Sequence, residues 1–110
     1  MNDREGKGET SMETIALRTQ LSGGINLGEV RKVLSSALRR EVDLANARHS
    51  YFERACRTFE QQHQMSSEEF MQQFESGALG DEAIYFDWYA AKRGLDLWER
   101  RFRILSGVEV

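Results

Sequence analysis

The chain reads as an all-α protein: a long helix, a short capped helix, and a second long helix folded back antiparallel on the first as a helical hairpin. Three observations predict this. No proline occurs in the 110 residues, so no position is barred from a helix by a missing N–H or a ring clash. Two long segments carry apolar residues at steps of three and four, the spacing of one helix face. Between them, the stretch MSSEEFMQQFESGALGD, from Met65 to Asp81, holds two helix starts and one helix stop. The length suits one domain.

The arm over 1–11 is charged, small and glycine-containing, the composition of a disordered segment. The piece over 12–26 is ambiguous. Ile15, Leu17, Thr19 and Leu21 alternate with Ala16, Arg18 and Gln20, which is a strand period. Thr10 and Glu13 stand at capping-box spacing and would instead start a short helix. A strand here would have unpaired backbone on both edges and no second strand in the chain to meet it. Its partner would have to come from another chain, so the segment, with Ile15 and Leu17 as its apolar contribution, points to an oligomer or a complex. Gly23-Gly24 then breaks it, and Asn26 or the Gly28 region begins the next element.

Over 27–64 the pattern is helical, on the stripe Leu27, Val30, Leu34, Leu38, Val42, Ala45, His49, Phe52, Cys56, Phe59 and His63. From Val42 the steps alternate three and four as in a heptad seam. At roughly 55 Å, this helix exceeds what its two successors can cover. Ser66 and Glu69 form a capping box for the short helix over 67–76, with Met65 and Phe70 placed as a hydrophobic staple. Its apolar face is Phe70, Met71 and Phe74, and Gly77 supplies its left-handed stop. Asp81 is the expected N-cap of the last helix, over 82–106, with Gly107 at its end. There Ile84, Trp88, Ala91, Leu95, Trp98, Phe102 and Leu105 follow the heptad steps without a miss. Gly94 inside this helix suggests close approach of another backbone, or chance.

Catalytic chemistry is not expected. The chain has no phosphate-binding glycine loop, no nucleophile elbow and no Glu-x-x-His pair. His49, Cys56 and His63 share a stripe, but seven residues of helix rise about 10.5 Å, too far for consecutive members to ligate one ion. No cofactor or metal is expected. A single cysteine, the absence of an apolar signal core and the absence of a spanning run predict a cytoplasmic protein away from membranes. The net charge of −3 gives no global pull toward nucleic acid. Locally, Arg31, Lys32, Arg39 and Arg40 could still contact phosphates.

Phe86, Tyr89, Leu97 and Ile104 lie off the seam of the last helix, with no evident cover in the chain; together with Ile15 and Leu17 they are the expected partner-binding residues. The alternative is that Phe86 and Tyr89 cover the short helix. The words Phe59-Glu60, Met65-Ser66-Ser67-Glu68-Glu69-Phe70, Phe74-Glu75, Gly77, Leu79-Gly80-Asp81 and Phe86-Asp87-Trp88-Tyr89-Ala90-Ala91 resemble the small prokaryotic antitoxins of the TumA type, encoded beside a TumE-type toxin. The resemblance covers somewhat under half of the chain and departs from the family at Gln64, where a glycine is expected. It implies a binding function with no catalytic residues: a partner of a toxin-like protein from a neighbouring gene. An N-terminal strand followed by a helix also resembles ribbon-helix-helix antitoxins, so a DNA-binding autoregulator is the alternative, and a structural helical homo-oligomer a third.

Overall fold

A computed structural model describes residues 24–110, as three helices: α1 (Leu27–His63), α2 (Ser67–Glu75) and α3 (Ala83–Ser106). The expectations for the arm and for the strand or helix carrying Ile15 and Leu17 lie outside the described residues. The described residues divide into two units, one ending at Arg40 and joined by Val108–Val110, the other Glu41–Gly107, so the division falls inside α1.

In the first unit, α1 starts on a complete capping box. The Asn26 side-chain oxygen accepts from the Glu29 N–H at 2.9 Å, and the Asn26 N–H donates back to the Glu29 carboxylate at 3.2 Å. Two of the donors that every helix start leaves orphaned are thereby satisfied.

The second unit is the hairpin. Arg48 of α1 stands over Trp98 of α3, the Phe52 ring lies on Gly94, Phe59 stacks with Trp88, and His63 packs on Trp88 and Tyr85. Rising numbers on α1 meet falling numbers on α3, which is the antiparallel packing that the compact connection between them predicts. Trp88, 1% exposed, is the centre of the core, with Ala45, Cys56, Phe70 and Ala91 also buried. Phe70 of α2 stacks on it at 4.0 Å between centroids. Burying a ring of this size removes roughly 150–250 Å² from water, worth about 4–6 kcal/mol.

The elbow agrees with the sequence at two of its signals and departs at three. Ser66 caps α2 by accepting from the Glu69 N–H at 3.0 Å. Gly77 (φ 85°) is the left-handed residue of a Schellman stop, with bonds from Gly77 N–H to Phe74 O and from Ala78 N–H to Gln73 O. The return bond from the Ser66 N–H to Glu69 is not made. The Glu69 carboxylate accepts from Gln73, while Glu60, reaching from α1, takes the Ser67 N–H at 3.0 Å. Asp81 is not the cap of α3. That position is Glu82, which makes no side-chain cap bond: after the turn at Gly80 (φ 90°) the helix starts at Ala83, one residue later than expected. Finally, α1 stops sharply although no glycine is present. Gln64 adopts φ 53° and the Met65 N–H bonds to the Glu60 carbonyl at 3.3 Å, so a glutamine occupies a conformation that costs an ordinary residue about 1–2 kcal/mol.

Gly94 has a tertiary reason, different from the expected backbone approach. A Cβ there would stand 2.7 Å from two ring carbons of Phe52, so what comes close is a side chain.

Candidate docking surface

One hydroxyl ties the three helices together: the Trp88 indole N–H donates to Ser67 Oγ at 2.9 Å, Ser67 is itself held by Glu60, and the same side chain meets the Cys56 thiol. Burial pushes that thiol above its ordinary range, against the opposing hydrogen bond from Ser67. A buried, protonated thiol is a packing group rather than a nucleophile. Lys92 bridges the α2 and α3 surfaces, with Glu68 at 3.2 Å and Asp96 at 2.9 Å. Its own partial burial opposes the charge, but the two carboxylates prevail and raise its pKa. The Glu68 carboxyl is held below the usual range by its own backbone N–H and by Lys92. Among the described residues, no group of three or more His, Cys, Asp or Glu side chains could hold a metal ion, and no helix is long and apolar enough to cross a membrane.

What the hairpin offers to solvent is apolar area. On α3, Phe86, Leu97 and Ile104 are exposed by 52%, 45% and 60%, on the side away from Trp88. Tyr89 is different. It is half-buried, its ring packs on Phe74 at 5.2 Å, and its hydroxyl accepts from Arg93 at 2.9 Å. Phe86 also sets its edge against Phe74, at 5.2 Å, while half of it stays in water. The α2 helix therefore meets both aromatic residues but leaves Leu97 and Ile104 untouched by its rings. The basic set of α1 is exposed at all four positions, Arg31, Lys32, Arg39 and Arg40. Lys32 and Arg39 lie two turns apart on one side, with Arg31 and Arg40 each roughly 80–100° around the helix from them, so the four do not form one strip.

Sequence reasoning missed a second apolar feature. Leu44, Ala47, Arg48, Tyr51 and Phe52 of α1 line a groove of about 370 Å³ with Trp98 of α3. Trp98, expected as a core residue of the seam, is only half-buried, and guanidinium groups of Arg48 and Arg101 lie over its ring at 5.1 and 4.9 Å. The signal was present in the sequence. Leu44 and Tyr51 stand one heptad apart, off the main stripe, as an apolar pair with no intramolecular claim on it. No protein-family model matches the chain, and no curated protein and no solved structure does so either.

Proposed function

We propose that the chain is a protein-binding module, an antitoxin-like cytoplasmic protein that masks a toxin-like product of a neighbouring gene. The observation that supports this reading is the uncovered apolar stripe of Phe86, Leu97 and Ile104 on α3. Large exposed apolar side chains aligned on one face of a helix suit an interaction surface. The family resemblance of the 59–105 block points the same way and supplies the kind of partner. Ile15 and Leu17 are proposed to add edge pairing, with Tyr89 at the margin, and self-association of the chain is part of the same proposal.

The test is co-expression with the neighbouring product, followed by co-purification and a binding isotherm. Phe86→Ala and Leu97→Ala should keep most of their melting temperature and lose affinity, by about 2 kcal/mol or more if either is a central anchor. Both variants unfolding, with affinity per folded molecule unchanged, would assign these residues to the core and refute the surface. The second reading, DNA-binding autoregulation, draws support from the exposure of Arg31, Lys32, Arg39 and Arg40. A gel shift on the chain's own promoter across a salt series separates the two, since binding through phosphates weakens steeply with salt.

A further inference from the structure

The groove beside Trp98 sets two arginines among apolar side chains. Three cations of this unit are matched by carboxylates one turn away on their own helix, Arg57 with Glu53, Lys92 with Asp96 and Arg103 with Glu99. Arg48 and Arg101 have no such neighbour. Residues three and four away from Arg48 are Leu44, Ala45, Tyr51 and Phe52; those around Arg101 are Leu97, Trp98, Ile104 and Leu105. These positions are the ones that touch on a helix surface. Each arginine is thus set in apolar side chains, and among the described residues neither forms an ion pair. Both guanidinium groups lie over the Trp98 ring, and their N–H groups remain able to fork onto a carboxylate. Arg101, over the Trp98 ring, also stands one turn from Leu97 and Ile104 on α3.

We infer that this surface receives an amphipathic helix of a partner protein, with aliphatic side chains seated on Leu44, Tyr51 and Leu97 and carboxylates on Arg48 and Arg101. The inference rests on the protein-binding reading and adds the partner's chemistry. A single-stranded nucleic acid fits less well. Both arginines already claim the Trp98 ring, so no bare stacking platform is offered, and exposed Leu44, Leu97 and Ile104 find nothing aliphatic in a nucleic acid. A second copy docking the same patch about a two-fold axis would bring arginine against arginine.

The experiment uses the full chain as bait for a display library of helical peptides, varied at both charged and apolar positions. Selected peptides are remade with each Glu or Asp changed to the neutral amide, or to Lys, and titrated by fluorescence anisotropy. The expected winners place carboxylates beside aliphatic residues at helical spacing. Neutralising those carboxylates should cost on the order of tenfold in affinity, with the loss growing at low salt. In the Arg48→Glu/Arg101→Glu double variant, checked for an unchanged helical spectrum, preference should switch to the Lys-bearing sister peptides. That switch cannot arise from unfolding. No winners, winners without carboxylates, tight binding of a single-stranded oligonucleotide, or self-association lost in the Arg48→Glu/Arg101→Glu variant would each overturn the inference. If the double variant still co-purifies with the neighbouring gene's product while peptide selection fails, the protein-binding reading stands and only the acidic helix falls.

Discussion

The contact between Gly94 and Phe52 sets two opposing effects against each other, and its sign can be worked out. Replacing Gly94 with alanine improves a helix interior by about 1 kcal/mol, because glycine loses more backbone freedom on folding. Against that, the new Cβ would stand 2.7 Å from Cε1 and Cζ of Phe52 and 2.8 Å from Cδ1. Carbon atoms attract best at about 3.5–4.0 Å, so the ring must retreat by nearly an ångström or α3 must move away from α1. Phe52 is half-buried and edge-packed on Tyr51 at 5.1 Å, which limits where it can go. Overpacking of this kind costs about 1–3 kcal/mol. The balance is a destabilisation of about 0–2 kcal/mol, despite the helix propensity. Once Phe52 is truncated to alanine the clash is gone, and the same Gly94→Ala change should stabilise by about 1 kcal/mol. Urea unfolding of the four proteins of this cycle, followed by far-ultraviolet circular dichroism, measures a coupling of about 1–3 kcal/mol if the contact is real. Equal stabilisation by Gly94→Ala in both backgrounds would mean that the ring exerts no pressure on the glycine, and the argument would fail.

Four further outcomes are expected. Gln64→Gly should raise stability by about 1 kcal/mol, since glycine holds φ 53° without strain; a drop would mean that the side chain is needed there. Ser66→Ala should cost about 0.5–2 kcal/mol through the lost cap, whereas Ser67→Ala, which orphans the buried Trp88 N–H, should cost about 1–3 kcal/mol and shift Trp88 fluorescence. Trp88→Ala should cost about 3–5 kcal/mol, and Trp98→Ala distinctly less, because half of its surroundings is solvent and arginine; equal melting temperatures would contradict the packing described. The Glu68–Lys92 contact should be pH-dependent in a definite direction. A carboxyl whose folded pKa lies below its ordinary 4.5 stabilises the fold above that pH and loses the contribution as pH falls through the folded value. The difference in unfolding midpoint between wild type and Glu68→Gln should therefore shrink on acidification from neutral pH, and a difference that grows would reverse the sign.

Periodicity carried the fold. The steps along Val42 to His63 and along Ile84 to Leu105 say which face of each helix is buried, and Ser66 and Gly77 mark where α2 starts and stops. Local signals of this kind depend on residues within one turn of each other, so they survive in a single sequence. What the steps cannot say is which residues meet across the interface at a given level. That Phe52 rests on Gly94, that Glu60 caps a helix other than its own, and that Trp98 faces two arginines all depend on how far one helix is slid along the other. The stop at Gln64 was obscured because the intrinsic preference of glutamine argues against the left-handed conformation it adopts. Of the partner surface, Phe86, Leu97 and Ile104 were legible as apolar residues off the seam. Tyr89 was readable two ways, as partner surface or as cover for the short helix, and it packs on Phe74 of α2.

The Trp88–Ser67 hydrogen bond has a consequence for how uniquely the hairpin is assembled. A heptad seam is nearly indifferent to translation. If α3 slipped along α1 by one repeat, Leu95 would stand where Trp88 does now, and much of the apolar contact would re-form. The polar pair would not survive the shift. Ser67 would face a leucine with no proton to give, and the indole N–H would lose its Ser67 acceptor. A buried donor left without a partner costs about 1–3 kcal/mol, a sizeable fraction of the margin by which a domain of this size stays folded. One bond of 2.9 Å thus distinguishes one alignment of two greasy helices from its neighbours, in the way a notch fixes a sliding bolt. Strengthening the seam while replacing Ser67 and Trp88 by apolar residues would then give a chain that resists unfolding but populates more than one alignment.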